Sequence, residues 1–451
     1  MKTSLLYLFV LSTTLCSTGV MAKKPGIKTV RHVKGFKFQP FQVNTSRYLT
    51  ATPDYYQYAP QIIDVITGKK VTLPDLLKLP GVPRPPRVAY GAGFYERARI
   101  LKEQGKYWAW YSKQFIYYNA PKQLAGVWLV RSDYPGTGKG RARCPKGGPA
   151  IFMPFKGKHF CPESGTYLSH TQFREVKRAW YYHLDLKNKK VAWRVKVGDD
   201  AMRPMVMNAS GSALMLHTHF FAKSKKAGPS TVTFHRLNLK TRKLDWKHTV
   251  TLPTRFKRGT LHHPGLSFHV SKEMTKIFMC EYDEKDRRHP SGYLKSPTAR
   301  GYIIDISKRK HHTITVPVTT YGYVFDDTSE YLYISSHQLG TILKIHTATG
   351  KVISKTSTHR QTYKLLISPS GKYLYSFHFG GIRIFEAATM KRVNDLPLSR
   401  LAPGTSRLIA TARVLPFTTG HFIMPLIDKI KGSSAAISSS KPGFTLYKII
   451  E

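Results

Sequence analysis

Leu366-Ile367-Ser368-Pro369-Ser370-Gly371-Lys372-Tyr373-Leu374-Tyr375, followed by Gly381-Ile382-Arg383-Ile384-Phe385-Glu386 and then Thr389-Met390-Lys391, reads as strand, tight turn, strand, loop, strand, turn, strand. The strands are rich in β-branched and aromatic residues, and the turns carry Gly, Ser, Pro and Lys. A unit of this kind cannot bury its own apolar faces. It needs copies of itself on either side.

Those copies are present along the chain. The turn Gly371-Lys372-Tyr373 is echoed at Ser329-Glu330-Tyr331, Gly211-Ser212-Ala213, Gly165-Thr166-Tyr167, Gly105-Lys106-Tyr107 and Ser46-Arg47-Tyr48. Weaker echoes lie at Ser271-Lys272-Glu273 and Thr419-Gly420-His421. The second half of the unit also recurs, at Ile63–Lys69, His183–Lys189, Arg236–Arg242, Ile304–Lys308 and Ile345–Lys351. Gly371 and Ser329 are 42 residues apart, which matches a bare propeller blade of about 40–45 residues. Wider spacings imply loops inserted between strands. The expectation is an all-β chain forming a single β-propeller of seven or eight four-stranded blades, with eight echoes favouring eight. A many-stranded β-sandwich is the alternative, and a fixed period over most of the chain argues against it.

Ser368-Pro369-Ser370-Gly371-Lys372-Tyr373-Leu374-Tyr375, with the ending Thr349-Gly350-Lys351 in the preceding unit, resembles the bacterial YVTN-type β-propeller repeat, a pattern shared by quinoprotein-like and lactonase-like propellers. The resemblance is closest over residues 320–395, fair over 155–250 and loose elsewhere. The eponymous Tyr-Val-Thr-Asn is absent, and Tyr375-Ser376-Phe377-His378 stands in its place. The resemblance implies a propeller fold in a bacterial envelope setting. It implies no activity, because this fold hosts many functions.

Residues 1–22 read as a secretory signal peptide: Lys2, an apolar run from Leu5 to Leu15, then Val20-Met21-Ala22 before Lys23. Residues 23–35 read as an N-terminal lead-in and 36–451 as the propeller. The apolar run is shorter than the roughly 20 residues of a membrane span, and no later segment is a transmembrane candidate. Cys16 follows Leu15, where a lipobox takes a small residue. The expected location is secreted or periplasmic, as a monomer. Export permits a disulfide between Cys144 and Cys161, which flank a Gly/Pro/Lys-rich stretch. In the chain-entropy account a loop of this length contributes about 3 kcal/mol. Cys280 closes the run Ile277-Phe278-Met279 and reads as a small buried hydrophobe.

Charge points most directly at function. The chain has 72 Lys+Arg against 25 Asp+Glu, a formal +47, or +46 without Lys2. A magnitude of about 2–8 suffices to keep a small domain soluble, and a large surplus adds self-repulsion. The excess predicts attraction to a polyanion: acidic or sulfated polysaccharide, lipopolysaccharide or nucleic acid. An organism-wide basic bias, as in envelope proteins working in acid, is the competing explanation.

In a propeller, second-strand ends and inter-blade crossings share the usual ligand end. Here they carry His170, His217, His219, His337 and His378, then Arg255, Lys257, Arg258, His262 and His263 after Thr251-Leu252-Pro253, and Arg287 and Arg288 after Cys280. Guanidinium groups hold carboxylate or sulfate bidentately. Imidazoles move protons near neutral pH or bind metals. His217, His219 and His262 are therefore the catalytic candidates, and His217 with His219 the metal candidates, if a divalent metal is used at all; no cofactor signature is visible. The bland reading of the same histidines is solvation or local hydrogen bonding, since the chain has 19 of them. The leading functional expectation is a polyanion-binding module. A polysaccharide lyase or lactonase-like hydrolase on an acidic sugar is the alternative, and a scaffold for an envelope protein partner the second. Asp326-Asp327 falls at a turn, where Asp caps backbone groups before it does acid–base work.

Overall fold

The computed structural model describes residues 24–34, 48–51, 61–64, 67, 69–71, 107–117, 124–134, 151–153, 158–161, 166–168, 176–185, 190–198, 203–208, 211–220, 228–252, 255–257, 260–262, 264–283, 298–317, 320–336, 339–359, 362–378, 380–397, 415–416, 420–426 and 443–451, with side chains chiefly at 24–33 and from 208 onward. Among these residues there is no helix.

β1 (Gly26–Lys34) comes first. β2 (Tyr48–Ala51), β3 (Gln61–Asp64) and β4 (Lys70–Val71) make a three-stranded sheet. β5 (Tyr107–Tyr117) and β6 (Leu124–Tyr134) are followed by a small sheet of β7 (Ile151–Met153), β8 (Lys158–Cys161) and β9 (Thr166–Leu168). β10 (Val176–Asp185) and β11 (Lys190–Gly198) then return to pair in the order β5-β6-β10-β11.

From there the chain is regular. β12 (Arg203–Met207), β13 (Ala213–Phe220), β14 (Ser230–Asn238) and β15 (Lys243–Leu252) form one antiparallel meander. A hairpin of β16 (Arg255–Lys257) and β17 (Thr260–His262) leads to β18 (Pro264–Val270), β19 (Lys276–Asp283), β20 (Thr298–Asp305) and β21 (Lys310–Pro317). β22 (Thr320–Phe325), β23 (Tyr331–Ser336), β24 (Thr341–His346) and β25 (Val352–Ser357) form the next meander. β26 (Thr362–Ile367), β27 (Tyr373–His378), β28 (Gly381–Glu386) and β29 (Arg392–Pro397) follow. The last sheet has the order β30 (Leu415–Pro416), β31 (His421–Leu426), β32 (Gly443–Ile450) and, outermost, β1.

Successive sheets pack face to face, as blades of a propeller do. One core joins Phe234 and Trp246 to Ile277 and Tyr302 of the next sheet. A second joins Phe278 and Ile303 to Leu332 and Ile345, a third Tyr333 and Ile342 to Leu374 and Phe385, and a fourth Phe377 and Ile384 to Phe422 and Tyr447. Burial falls from the inner strands outward. β23 and β27 are almost wholly buried, whereas the fourth strands β25 and β29 have no buried residue. The exposed edges carry Lys355 and Arg392, charges that discourage edge-to-edge pairing.

Each meander turns on the same device. Asn208, Ser271, Asp326 and Ser368 end their first strands, and each side-chain oxygen accepts a backbone N–H from five residues on, at 2.9–3.0 Å. Asp326 is thus the capping group its sequence position suggested; its other carboxylate oxygen accepts from the Thr328 hydroxyl at 2.6 Å. The third-to-fourth-strand turn then bonds back: Leu239 N–H donates to Ser212 O, Ile306 N–H to Thr275 O, Thr347 N–H to Glu330 O, and Ala387 N–H to Lys372 O. Both turns therefore lie at one end of each of these four sheets. The second-to-third-strand loops and the crossings occupy the other.

Two sequence echoes fall out of phase with this plan. Of the echo Gly105-Lys106-Tyr107, Tyr107 begins the edge strand β5, and of Gly165-Thr166-Tyr167, Thr166 and Tyr167 belong to β9 of the small inserted sheet; the other residues of both lie outside the described ones. Both resemble first-to-second-strand turns only in composition. Residues 26–34, read from sequence as part of a lead-in, form the outer strand of the last sheet, paired from Gly26 with Ile450 to Lys34 with Gly443.

Candidate functional site

The loop end brings His217 and His219 together. They point to one side of β13, with ring centroids 4.7 Å apart, and both lie against Phe268 of the next sheet, at 4.8 and 5.4 Å. His217 is buried and His219 partly so. Among the described residues no group of three or more His, Cys, Asp or Glu is arranged to hold a metal ion.

The second cluster is centred on His378 at the end of β27. Its ring is buried and stacks on His359 at 4.5 Å. Its Nδ1 accepts the Gly380 N–H at 3.1 Å, which leaves Nε2 to carry the proton. Burial, with His359 and Arg383 nearby, lowers its pKa to about 4. His378 is thus a neutral ring at pH 7, able to accept or donate a hydrogen bond and unable to act as a cation. Beside it, Ser376 Oγ lies 3.1 Å from Thr358 Oγ1 and 3.3 Å from Thr362 Oγ1. Ser376 is fully buried, so this hydroxyl network ties two sheets together and offers no nucleophile to solvent.

A third cluster holds a buried acid. Glu281 is buried at the end of β19, 3.5 Å from Arg300 Nε, and accepts from the Tyr302 hydroxyl at 3.4 Å. Burial and then the Glu281 charge push the neighbouring Cys280 thiol up to about 12. Cys280 is free and buried, the inert small hydrophobe expected of it.

Arg255 and His262 face each other in the register of the β16–β17 hairpin, with Lys257 opposite Thr260. Their side chains lie outside the described residues, as do residues Arg258, His263, Arg287, Arg288, His170, His337 and Cys144, and the side chain of Cys161.

The most specific polar contacts between sheets were not foreseen from sequence. His248 Nε2 on β15 and His311 Nδ1 on β21 are 2.9 Å apart. Lys344, buried on β24, donates to the carbonyls of Ala387 and Ala388 in the next sheet, both at 3.2 Å, and lies 4.3 Å over the Tyr331 ring. The His311-His312 doublet was the only local signal, and nothing in sequence names its partner 63 residues away.

No family model matches the chain, and no curated relative matches it. Among solved structures, the β-propeller domain of Myceliophteria thermophila Cps50 (Swd1) is 11% identical with a TM-score of 0.33, over 56% of this chain and 77% of that one. A chain of the Mitotic Checkpoint Complex is 9% identical with a TM-score of 0.32, over 55% of this chain and 67% of that one. The sheets themselves, more than likenesses this distant, carry the fold.

Proposed function

We propose that the protein is an exported β-propeller that binds a polyanion, an acidic or sulfated polysaccharide or lipopolysaccharide, through basic residues at its loop end and outer strands. In this reading the blades number seven, β2–β4 being the first and β1 on β32 closing the ring. Support for the closure comes from Arg31 of β1, which donates to Thr67 O beside β4, so the last sheet touches the first. The YVTN-type resemblance and the signal-like N-terminus, Lys2 with the apolar run Leu5 to Leu15, support the envelope setting of this reading.

One observation carries the binding reading. Carboxylates on the described surface are largely engaged, while cations are in excess. Asp245 pairs with Arg236 at 2.8 Å, Asp395 with Arg383 and Arg392 at 3.0 and 2.8 Å, Asp327 with Lys272 at 3.5 Å, and Asp305 with Lys276. By contrast Lys243, Lys247, Lys308 and Lys310 are exposed, and no ion pair is found for them among the described residues.

Retention on heparin, polygalacturonate and lipopolysaccharide, measured at rising salt and scored for both binding and cleavage, tests the proposal. Retention is expected at low salt with a steep loss as salt rises, because neutralised polymer charges release counterions. Salt-independent retention, or none, sinks the electrostatic reading. Cleavage with new unsaturated ends would favour a lyase. Changing Arg255, Lys257 and Arg258 to Glu is expected to weaken binding more than changing Lys189, Lys190 and Lys351.

A further inference from the structure

We infer that the outer edge of the β12–β15 sheet, with the turn of the adjoining sheet, is a polyanion-binding strip. Its cations are Arg242, Lys243, Lys247, Lys308, Arg309 and Lys310, and its occupant is one linear sulfated or carboxylated polysaccharide chain. The inference rests on the polyanion reading above and gives it a place.

The strip follows from topology. Arg242 and Lys243 stand at the turn into β15. Lys247 lies four residues along the same exposed strand, about 14 Å on at strand rise. The contact between His248 and His311 docks β21 against β15 at that point, which brings the turn Lys308-Arg309-Lys310 alongside. β15 ends at Leu252, three residues before Arg255 of the loop-end hairpin. One edge strand therefore runs from basic turn to basic hairpin, the track a linear polymer needs.

Local charge sharpens the point. All six cations are on exposed residues. The carboxylates here are occupied: Asp245 by Arg236 and Asn238, Asp305 by Lys276 and Ser307. In the next sheet the corresponding turn keeps a single cation, Lys351, and the first-to-second-strand turn carries Asp326, Asp327 and Glu330. The basic character is thus a property of this sector, beyond the lysine that recurs at the start of fourth strands.

The backbone adds an independent observation. Arg242 and Arg309 hold the left-handed position of their turns, with φ of 61° and 53°, where the turn before β25 uses Gly350 at φ 69°. A side chain there is strained where glycine is not. Met390 fills the same position in the following sheet and is repaid by burial in the core. Arg309 is exposed and has no such return. Arg242 lies 5.4 Å from the Trp193 ring, a contact that holds its guanidinium at the seam with β11. Two guanidinium groups retained at strained positions, one in each turn, fit a ligand that Arg binds well and Gly cannot.

The experiment uses heparin as probe and the full mature chain. One variant carries K243Q, K247Q, K308Q, R309Q and K310Q. A control with the same charge loss carries K28Q, K351Q, K355Q, K372Q and K391Q, all exposed and all elsewhere. The strip variant is expected to lose on the order of 100-fold in affinity at 50 mM salt and to show a salt slope shallower by about 3–4, while the control loses less than about 5-fold. Arginine in place of the four lysines in the strip should retain binding. Equal losses in the two variants would overturn the strip and leave general polyanion binding standing. A wild-type chain that ignores heparin at low salt would overturn both. Matching thermal melts guard against misfolding as the cause.

Discussion

The fourth residue of the first-to-second-strand turn takes a left-handed backbone in five sheets, as Gly211, Met274, Ser329, Gly371 and Gly420, with φ between 55° and 75°. Side chains tolerate this conformation poorly, and glycine does not. The positions allow backbone strain to be measured apart from packing. A Cβ at Gly371 would meet nothing within 4 Å, whereas one at Gly420 would lie 2.5 Å from Pro369 Cγ. Gly371→Ala is therefore expected to destabilise by about 1 kcal/mol from backbone alone, and Gly420→Ala by more, in chemical denaturation. Ser329→Gly should stabilise by about 0.5–1 kcal/mol, because its left-handed serine is relieved. A Ser329→Gly chain less stable than wild type would show that the serine side chain has a role beyond the turn. These turns were the most legible part of the sequence. Gly, Ser, Asp and Asn at a fixed phase are dictated by local backbone needs, and local needs are what a sequence displays.

At the scale of elements, legibility falls wherever a partner is distant. β1 alternates weakly and carries Lys28, Arg31, His32 and Lys34, so on its own it reads as a polar lead-in. Its partner β32 begins more than 400 residues later. The chain ends are tied further by Asn394 donating to Pro25 O at 2.8 Å and Tyr375 OH donating to Gly26 O and Ile450 O at 3.2 and 3.0 Å. The same distance hid the pairing of β6 with β10 across the inserted β7–β9, and that is why eight echoes were counted where two are out of phase. The loop-end candidates were legible as residue types at strand ends; which of them meet was legible only for His217 and His219, set two apart on one strand. A prediction follows for β1. Cleavage after Ala22 leaves β1 whole, and N-terminal sequencing of exported protein should begin at Lys23. A chain shortened to begin at Gly35 should expose the β32 edge and lose solubility and several degrees of melting temperature. A shortened chain that melts like the full one would mean that β1 adds little to the closure.

Across the whole molecule, the histidines set a limit on where the protein can work. Burial, with Lys247 nearby, holds His235 at about 4, and burial, with Lys364 nearby, holds His269 at about 3. His378 is at about 4, and burial also lowers His248, His311 and His312. An unfolded histidine titrates near 6.5. Between that value and the lower folded one the unfolded chain binds the extra proton, so stability is whole above pH 6.5 and falls as pH drops from 6.5 toward 4. Each ring held near 4 contributes on the order of 1–2 kcal/mol of that loss by pH 5. The basic surplus works in the same direction, since protonated histidines add to self-repulsion. Neutral imidazoles buried at the sheet junctions make acid costly to this fold, so the acid-habitat explanation of the basic surface can be checked through stability. Denaturant midpoints should therefore drop markedly from pH 7.5 to pH 5. His378→Asn, which keeps an acceptor for the Gly380 N–H and cannot take up the proton, should flatten the profile by up to one proton's slope. Stability that stays level or rises between pH 7.5 and 5 would show that these rings are charged in the fold and would favour the acid-habitat explanation of the basic surface.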